Sequence, residues 1–162
     1  VIRRRFRAPV RASGDGFVVD IAPDEAALVR RLLLELRQLL SDPELDGGAA
    51  AILVRLFPVA HPDDDEAEAE YQRLMREELV ASKLAAFEIV DTTLAGDGRL
   101  DEGGLVAFMQ SINSLRLALG TVLGVTDELD DEVAQDQQDS PEYHLYGYLS
   151  WLLEWSVRAF QS

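Results

Sequence analysis

The chain has no cysteine. Disulfides, thiolate metal sites and thiol redox switches are therefore excluded from these 162 residues. Histidine is almost as scarce, with only His61 and His144. Nucleophile–base catalysis is then reduced to a Ser–His pair, and no nucleophile-elbow pattern is present to supply it. No Gly-rich loop of the kind that cradles phosphate occurs either. An enzyme is not expected, and no cofactor is implied. Long apolar runs are missing too. The longest, near Ala49–Val54 and Leu32–Leu34, are broken by Arg or Glu well short of the ~18 residues of a membrane span. Val1-Ile2-Arg3-Arg4-Arg5 is basic, but no apolar segment follows it, so it does not read as a signal peptide. The cytoplasm is the default expectation.

What the chain does have is acid, unevenly placed. The first eleven residues carry Arg3, Arg4, Arg5, Arg7 and Arg11 and no carboxylate. The remainder carries 10 basic and 30 acidic side chains, a charge of −20 against a tip of +5. The whole is −15. Such a body repels the phosphate backbone, which supplies most of the affinity of a DNA-binding protein. It would attract a basic protein partner and speed the encounter. At this length one domain is expected, able to bury roughly 70% of its unfolded surface.

The pattern along the chain is mainly helical. Ser13-Gly14-Asp15-Gly16 has turn chemistry, and residues 2–8 and 16–21 flank it as a short N-terminal β-hairpin, an appendage over residues 1–21. A bundle of about five helices fills residues 22–162. Ala22-Pro23-Asp24-Glu25 opens the first, with Leu28, Leu32, Leu36, Leu39 and Leu40 at helical spacing. Ala49–Leu56 makes a short second helix, stopped by Phe57-Pro58. The third starts after the acidic stretch His61–Glu66 and runs to about Ala95 on Tyr71, Met75, Leu79, Val80, Leu84, Phe87 and Leu94. The fourth spans about Asp101 to Leu123, with Leu105, Phe108, Met109, Ile112, Leu115, Leu119 and Val122 inward and Gly124 as its C-cap. Thr126–Ser140 is acidic, Gln-rich and without a base, and reads as a mobile loop. Ser140-Pro141-Glu142 opens the last helix, which runs to about Phe160 on Tyr143, Leu145, Tyr146, Leu149, Leu152, Leu153 and Val157.

Three features invite a functional reading. Asp97-Gly98-Arg99-Leu100-Asp101-Glu102 resembles the middle of an EF-hand loop, but aligning Gly98 to the invariant glycine puts Thr93, Ala95 and Gly104 at key ligand positions. A Gly turn before an acidic helix start accounts for it better. His61 with Asp63, Asp64, Asp65 and Glu66 has metal-ligand chemistry on paper, yet consecutive residues at a helix start point in different directions. No metal site is expected. Asn113 and Arg116 interrupt an apolar helix at i,i+3 spacing. An arginine carried into a helical core needs an acid, so Arg116 is expected to pair with Glu70 or Glu77. The arginine tip would place Arg3, Arg5 and Arg7 on one strand face and Arg4 on the other. It can meet phosphate, an acidic partner or the chain's own acidic surface, and the last is preferred because that field is strong and close.

Three blocks carry a family resemblance. The first is Arg55-Leu56-Phe57-Pro58, then Asp63-Asp64 and Glu66-Ala67-Glu68-Ala69-Glu70-Tyr71 with Arg73-Leu74. The second is Ile112-Asn113-Ser114-Leu115-Arg116-Leu117-Ala118-Leu119-Gly120-Thr121, and the third is the C-terminal stretch from Tyr146-Gly147-Tyr148-Leu149 onward. Together they resemble an actinobacterial family first catalogued as a domain of unknown function and known as AosR-like oxidative-stress transcriptional regulators. The resemblance implies control of stress-response transcription through contact with the transcription machinery, such as a sigma factor. The family's proposed redox switch uses a cysteine pair, which this chain lacks. Met75 and Met109 can oxidise, but both fall on apolar helix faces and read as core.

The expectation is thus a non-enzymatic regulator that works through a protein partner, with Arg3, Arg4, Arg5, Arg7, Asn113 and Arg116 as candidate contact residues. A second copy of the chain stays open as a partner; a membrane is not expected. The alternatives are direct DNA binding through the arginine hairpin and a small-molecule-binding bundle. The first lacks a short helix-turn-helix with a basic second helix. The second leaves no mark in a sequence.

Overall fold

The computed structural model describes residues 6–42, 49–124 and 140–162. Two short strands, β1 (Val10–Ser13) and β2 (Gly16–Val19), lead into helix α1 (Pro23–Ser41). Helices α2 (Ala49–Leu56) and α3 (Asp65–Ala95) follow, then strand β3 (Arg99–Leu100) and helices α4 (Glu102–Leu123) and α5 (Pro141–Gln161). The chain is a mainly helical bundle with five helices among the described residues and a small antiparallel sheet ordered β1-β2-β3.

The hairpin is shorter and later than the sequence suggested. A two-residue loop, Gly14-Asp15, fixes the register at Ser13↔Gly16 and Val10↔Val19. The first strand must therefore be the four residues that precede the turn, not residues 2–8, of which 2–5 lie outside the described residues. Gly14 takes the left-handed conformation the tight turn needs, with φ of 63°. The opposed pair Val10 and Val19 is buried and belongs to the same core as the helices, and β1 packs on α5.

The third strand was not foreseen. The segment read as an EF-hand-like loop pairs Leu100 with Phe17 and Arg99 with Val18. Its carboxylates serve the backbone: Asp97 accepts from the Arg99 amide at 3.1 Å, and Asp101 caps α4 by accepting from the Gly104 amide at 2.7 Å. Gly98 has φ of 77°, its carbonyl accepts from the Val19 amide at 2.8 Å, and a Cβ there would lie 2.3 Å from the Val19 oxygen. Only glycine fits.

The helix starts follow their sequence signals. Pro23 sits in the first turn of α1 ahead of Asp24 and Glu25. Asp64 accepts from the Ala67 amide at 3.0 Å, and Ser140 from the Tyr143 amide at 3.1 Å. Gly124 closes α4 in the left-handed conformation. The expected Thr126–Ser140 loop falls almost wholly outside the described residues.

Helix α4 is central: it packs against α2, α3 and α5 and touches α1, β2 and β3. By length and apolarity it could cross a bilayer, contrary to the reading that no segment could. Here Leu105, Phe108 and Ile112 are fully buried in the bundle core. Two inward assignments fail. Val122 is 68% exposed and Val157 is 39% exposed, while their neighbours Leu123 and Ser156 are buried, so the covered row of each helix runs one residue to the side. In α1 the buried row is Val29, Leu33, Leu36 and Leu40, while Leu28, Leu32 and Leu39 are half-buried. A leucine-rich helix offers two adjacent rows, and spacing alone does not choose between them.

Candidate functional site

The first two blocks that carry the family resemblance meet where α4 packs against α3. Phe57 follows α2 directly, its amide bonded to the Leu53 carbonyl at 2.8 Å, and its ring is buried. Two cations from α3 lie over that ring. The Arg76 guanidinium is 4.6 Å from the ring centroid and the Lys83 ammonium 5.5 Å. Both are within the range of cation–π attraction.

The same face of α3 folds the α2–α3 connection back on itself. Arg76 donates from Nε and Nη2 to Gln72 Oε1, at 3.0 and 2.6 Å. Gln72 Nε2 donates to Glu68 Oε1 at 2.7 Å. Glu68 Oε2 accepts from the backbone amides of Ala60 and His61 at 3.0 and 2.8 Å. These residues stand four apart, so one row of the helix supports the whole relay. The Gln72 bond, with the two backbone amides behind it, holds the Glu68 carboxyl below its ordinary value.

Between this row and α4 lies a cleft of about 330 Å³. Phe57, Pro58, Tyr71 and Gln72 line it on one side, Asn113, Ser114 and Leu117 on the other. Lys83 reaches into it and donates to Ser114 Oγ at 3.3 Å. Burial pushes the Lys83 ammonium down from its ordinary range.

Arg116 does not pair with Glu70 or Glu77. Glu70 lies 3.8 Å from Arg73, and Arg116 donates from Nη2 and Nε to Asn113 Oδ1, at 3.0 and 3.3 Å. Its guanidinium also lies 5.9 Å from the centre of the Tyr146 ring. Arg116 is half-buried, so a neutral oxygen and an aromatic face satisfy it without a buried ion pair. Gly120, one turn on, leaves room for Tyr146, whose ring edge would lie 3.2 Å from a Cβ there. The second and third blocks of the resemblance thus pack against each other across α4 and α5.

Asn113 and Arg116 are brought together; the arginine tip is not brought to them. Arg3, Arg4 and Arg5 lie outside the described residues. Arg7 is exposed, and its neighbour Phe6 contacts Trp155 at 5.7 Å between ring centroids. That contact is nine residues along α5 from Tyr146, about 13 Å by helical rise. Arg11 pairs with Asp20 of the same hairpin at 3.1 Å. Among the described residues no group of three His, Cys, Asp or Glu side chains is gathered for a metal. His61 and His144 are exposed, and His61 meets Tyr71 edge-on at 5.9 Å.

Sequence reasoning missed Phe57, Gln72, Arg76, Lys83 and Ser114 as a group. One signal was present: Lys83 stands between Leu79 and Phe87 in an i,i+4 row of the apolar face.

Comparison with known proteins agrees with the resemblance. A family model described as a domain of unknown function, DUF2017, matches residues 4–160. The oxidative stress regulator AosR of Mycobacterium tuberculosis (strain ATCC 25618 / H37Rv) is 26% identical, over 97% of this chain and 87% of its own length. The Mycobacterium bovis protein of that name matches equally. A Mycobacterium leprae protein given the same name provisionally is 28% identical, over 98% of this chain and 89% of its own. No solved structure is significantly similar. With residues 4–160 of its 162 matched, the chain belongs to the DUF2017 family.

Proposed function

We propose that this chain is a non-enzymatic regulator of the oxidative-stress response that acts by binding a basic surface on a protein of the transcription machinery, with a sigma factor as the first candidate. The names of its relatives support the first half of the reading. The second half rests on the outer face of α3. This 31-residue helix, about 46 Å long, exposes Asp65, Glu66, Glu70, Glu77, Glu78 and Glu88, and buries fully only Ala86, Phe87 and Val90. A long acidic face on a −15 chain repels a duplex and steers a basic protein toward it.

The test has two arms. In fluorescence anisotropy at ~150 mM salt, where screening acts beyond ~8 Å, the protein should show no sub-micromolar affinity for a random duplex. Purified sigma factors from an actinobacterium should bind, and reversing Glu70, Glu77 and Glu78 to Lys should slow association about tenfold. Tight duplex binding that is lost when Arg3, Arg4 and Arg5 become Ala would replace this reading with direct DNA recognition.

A further inference from the structure

We propose that the cleft between α3 and α4 is a binding site for a small organic monocarboxylate, with the anion on Lys83 and an apolar, preferably aromatic, body against Phe57, Leu79 and Leu117.

The lining of the cleft sets it apart. Among the described residues Arg11, Arg30, Arg31, Arg73 and Arg158 lie within 4.0 Å of a carboxylate, all of them away from this cavity. Among the described residues Lys83 is the only charged one that lines this cavity, and it has no ion-pair partner among them. Its one hydrogen bond goes to a neutral hydroxyl, Ser114 Oγ. Arg76, its neighbour over the Phe57 ring, is likewise bonded to an amide oxygen and not to an acid. A half-buried ammonium without a counter-ion has lost hydration and gained little in return. A carboxylate seated beside it restores that loss.

The neutral groups complete the site. Asn113 Oδ1 is committed to Arg116, which leaves the amide's N–H₂ as a donor. Ser114 accepts from Lys83 and keeps its own proton to give. One point charge with two neutral donors suits a monoanion; a phosphate dianion would call for more cations or a bidentate guanidinium. The volume, about 330 Å³, is at the small end of ligand pockets and fits a ring and a short acid. An acidic peptide is a poorer occupant, because its remaining charge would face the acidic exterior of α3. The proposal is independent of the partner reading, and each can fail alone.

Phenylacetate and its neutral isostere phenylacetamide are suitable probes, followed by nitrogen–proton NMR of the full chain. Phenylacetate should give saturable shifts at the side-chain amides of Gln72 and Asn113 and at the Phe57 backbone. Phenylacetamide should bind at least about tenfold more weakly. Lys83→Met should weaken phenylacetate by about the same factor, and Lys83→Arg should keep most of the affinity. Should Lys83→Met lose its fold by circular dichroism, Lys83→Gln takes its place, and the comparison of the two probes on the unaltered chain stands regardless. Equal binding of acid and amide, shifts that never saturate, or full affinity in Lys83→Met would each overturn the proposal.

Discussion

Arg116 shows how a residue can be found correctly and explained wrongly. An arginine among Ile112, Leu115 and Leu119 signals that its head must be satisfied, and it is. The sequence cannot say by what, because the partner is chosen by which face the helix turns and how far the head reaches. Asn113 on the same helix supplies the oxygen and Tyr146 on α5 the ring. The expected cost of removal falls accordingly. Stripping one member of a buried ion pair costs about 3–5 kcal/mol. Losing a half-exposed cation–π contact and a bond to a neutral amide should cost about 1–2 kcal/mol. Urea melts of Arg116→Ala should show that smaller loss, against less than about 0.5 kcal/mol for Arg99→Ala on the exposed side of β3. A double-mutant cycle with Tyr146→Leu should return a coupling of about 0.5–1 kcal/mol. A loss above 3 kcal/mol, near the buried-pair figure, would mean that Arg116 holds a stranded acid after all.

At the level of elements, helices were far easier to read than strands. Pro23, Asp64, Asp101 and Ser140 mark four starts, Gly124 marks an end, and an apolar period of 3.6 runs between them. The sheet depends on pairing across the chain. Strand β3 is two residues long and exists only because β2 runs beside it, so no local pattern announces it. Gly98 is the local trace of that pairing. In Gly98→Ala the new Cβ would meet the Val19 carbonyl in a conformation alanine resists, and stability should fall by about 1–3 kcal/mol, with Val19 and Val10 amides exchanging faster. Gly14, equally left-handed but with open space around it, should cost less. The Glu68 relay carries a pH dependence. The carboxylate is favoured in the fold, so its contribution is full above the ordinary value of 4.5 and is lost as pH falls through the lower folded value. The Ala60 and His61 amide resonances should therefore shift with a midpoint below 4.5, and Glu68→Gln should abolish that titration while leaving the rest of α3 in place.

For the whole molecule, composition decided most of what could be known. A −15 chain with 48% hydrophobic residues reads as a folded acidic domain, and the family blocks name its relatives. The cleft was less legible, because its walls come from the end of α2, the middle of α3 and the middle of α4, and only folding brings Lys83 to Ser114. Composition also bears on how stress would be sensed. Thiol–disulfide exchange requires cysteine thiols, and these 162 residues have none. The two methionines, Met75 and Met109, are half-buried on helix faces, Met109 against the core. Their oxidation would disturb packing rather than operate a reversible latch within the chain. Hydrogen peroxide at levels that spare methionine, verified by mass spectrometry, should therefore leave the circular dichroism, the urea midpoint and the affinity for a protein partner unchanged. A conformational change that appears under those conditions and reverses on reduction would show that this chain senses oxidant without thiols, and the argument from composition would fail. If none appears, a chain that regulates the stress response as proposed would depend on methionine oxidation or on something it binds, either a partner altered by oxidation or a small molecule whose level follows it.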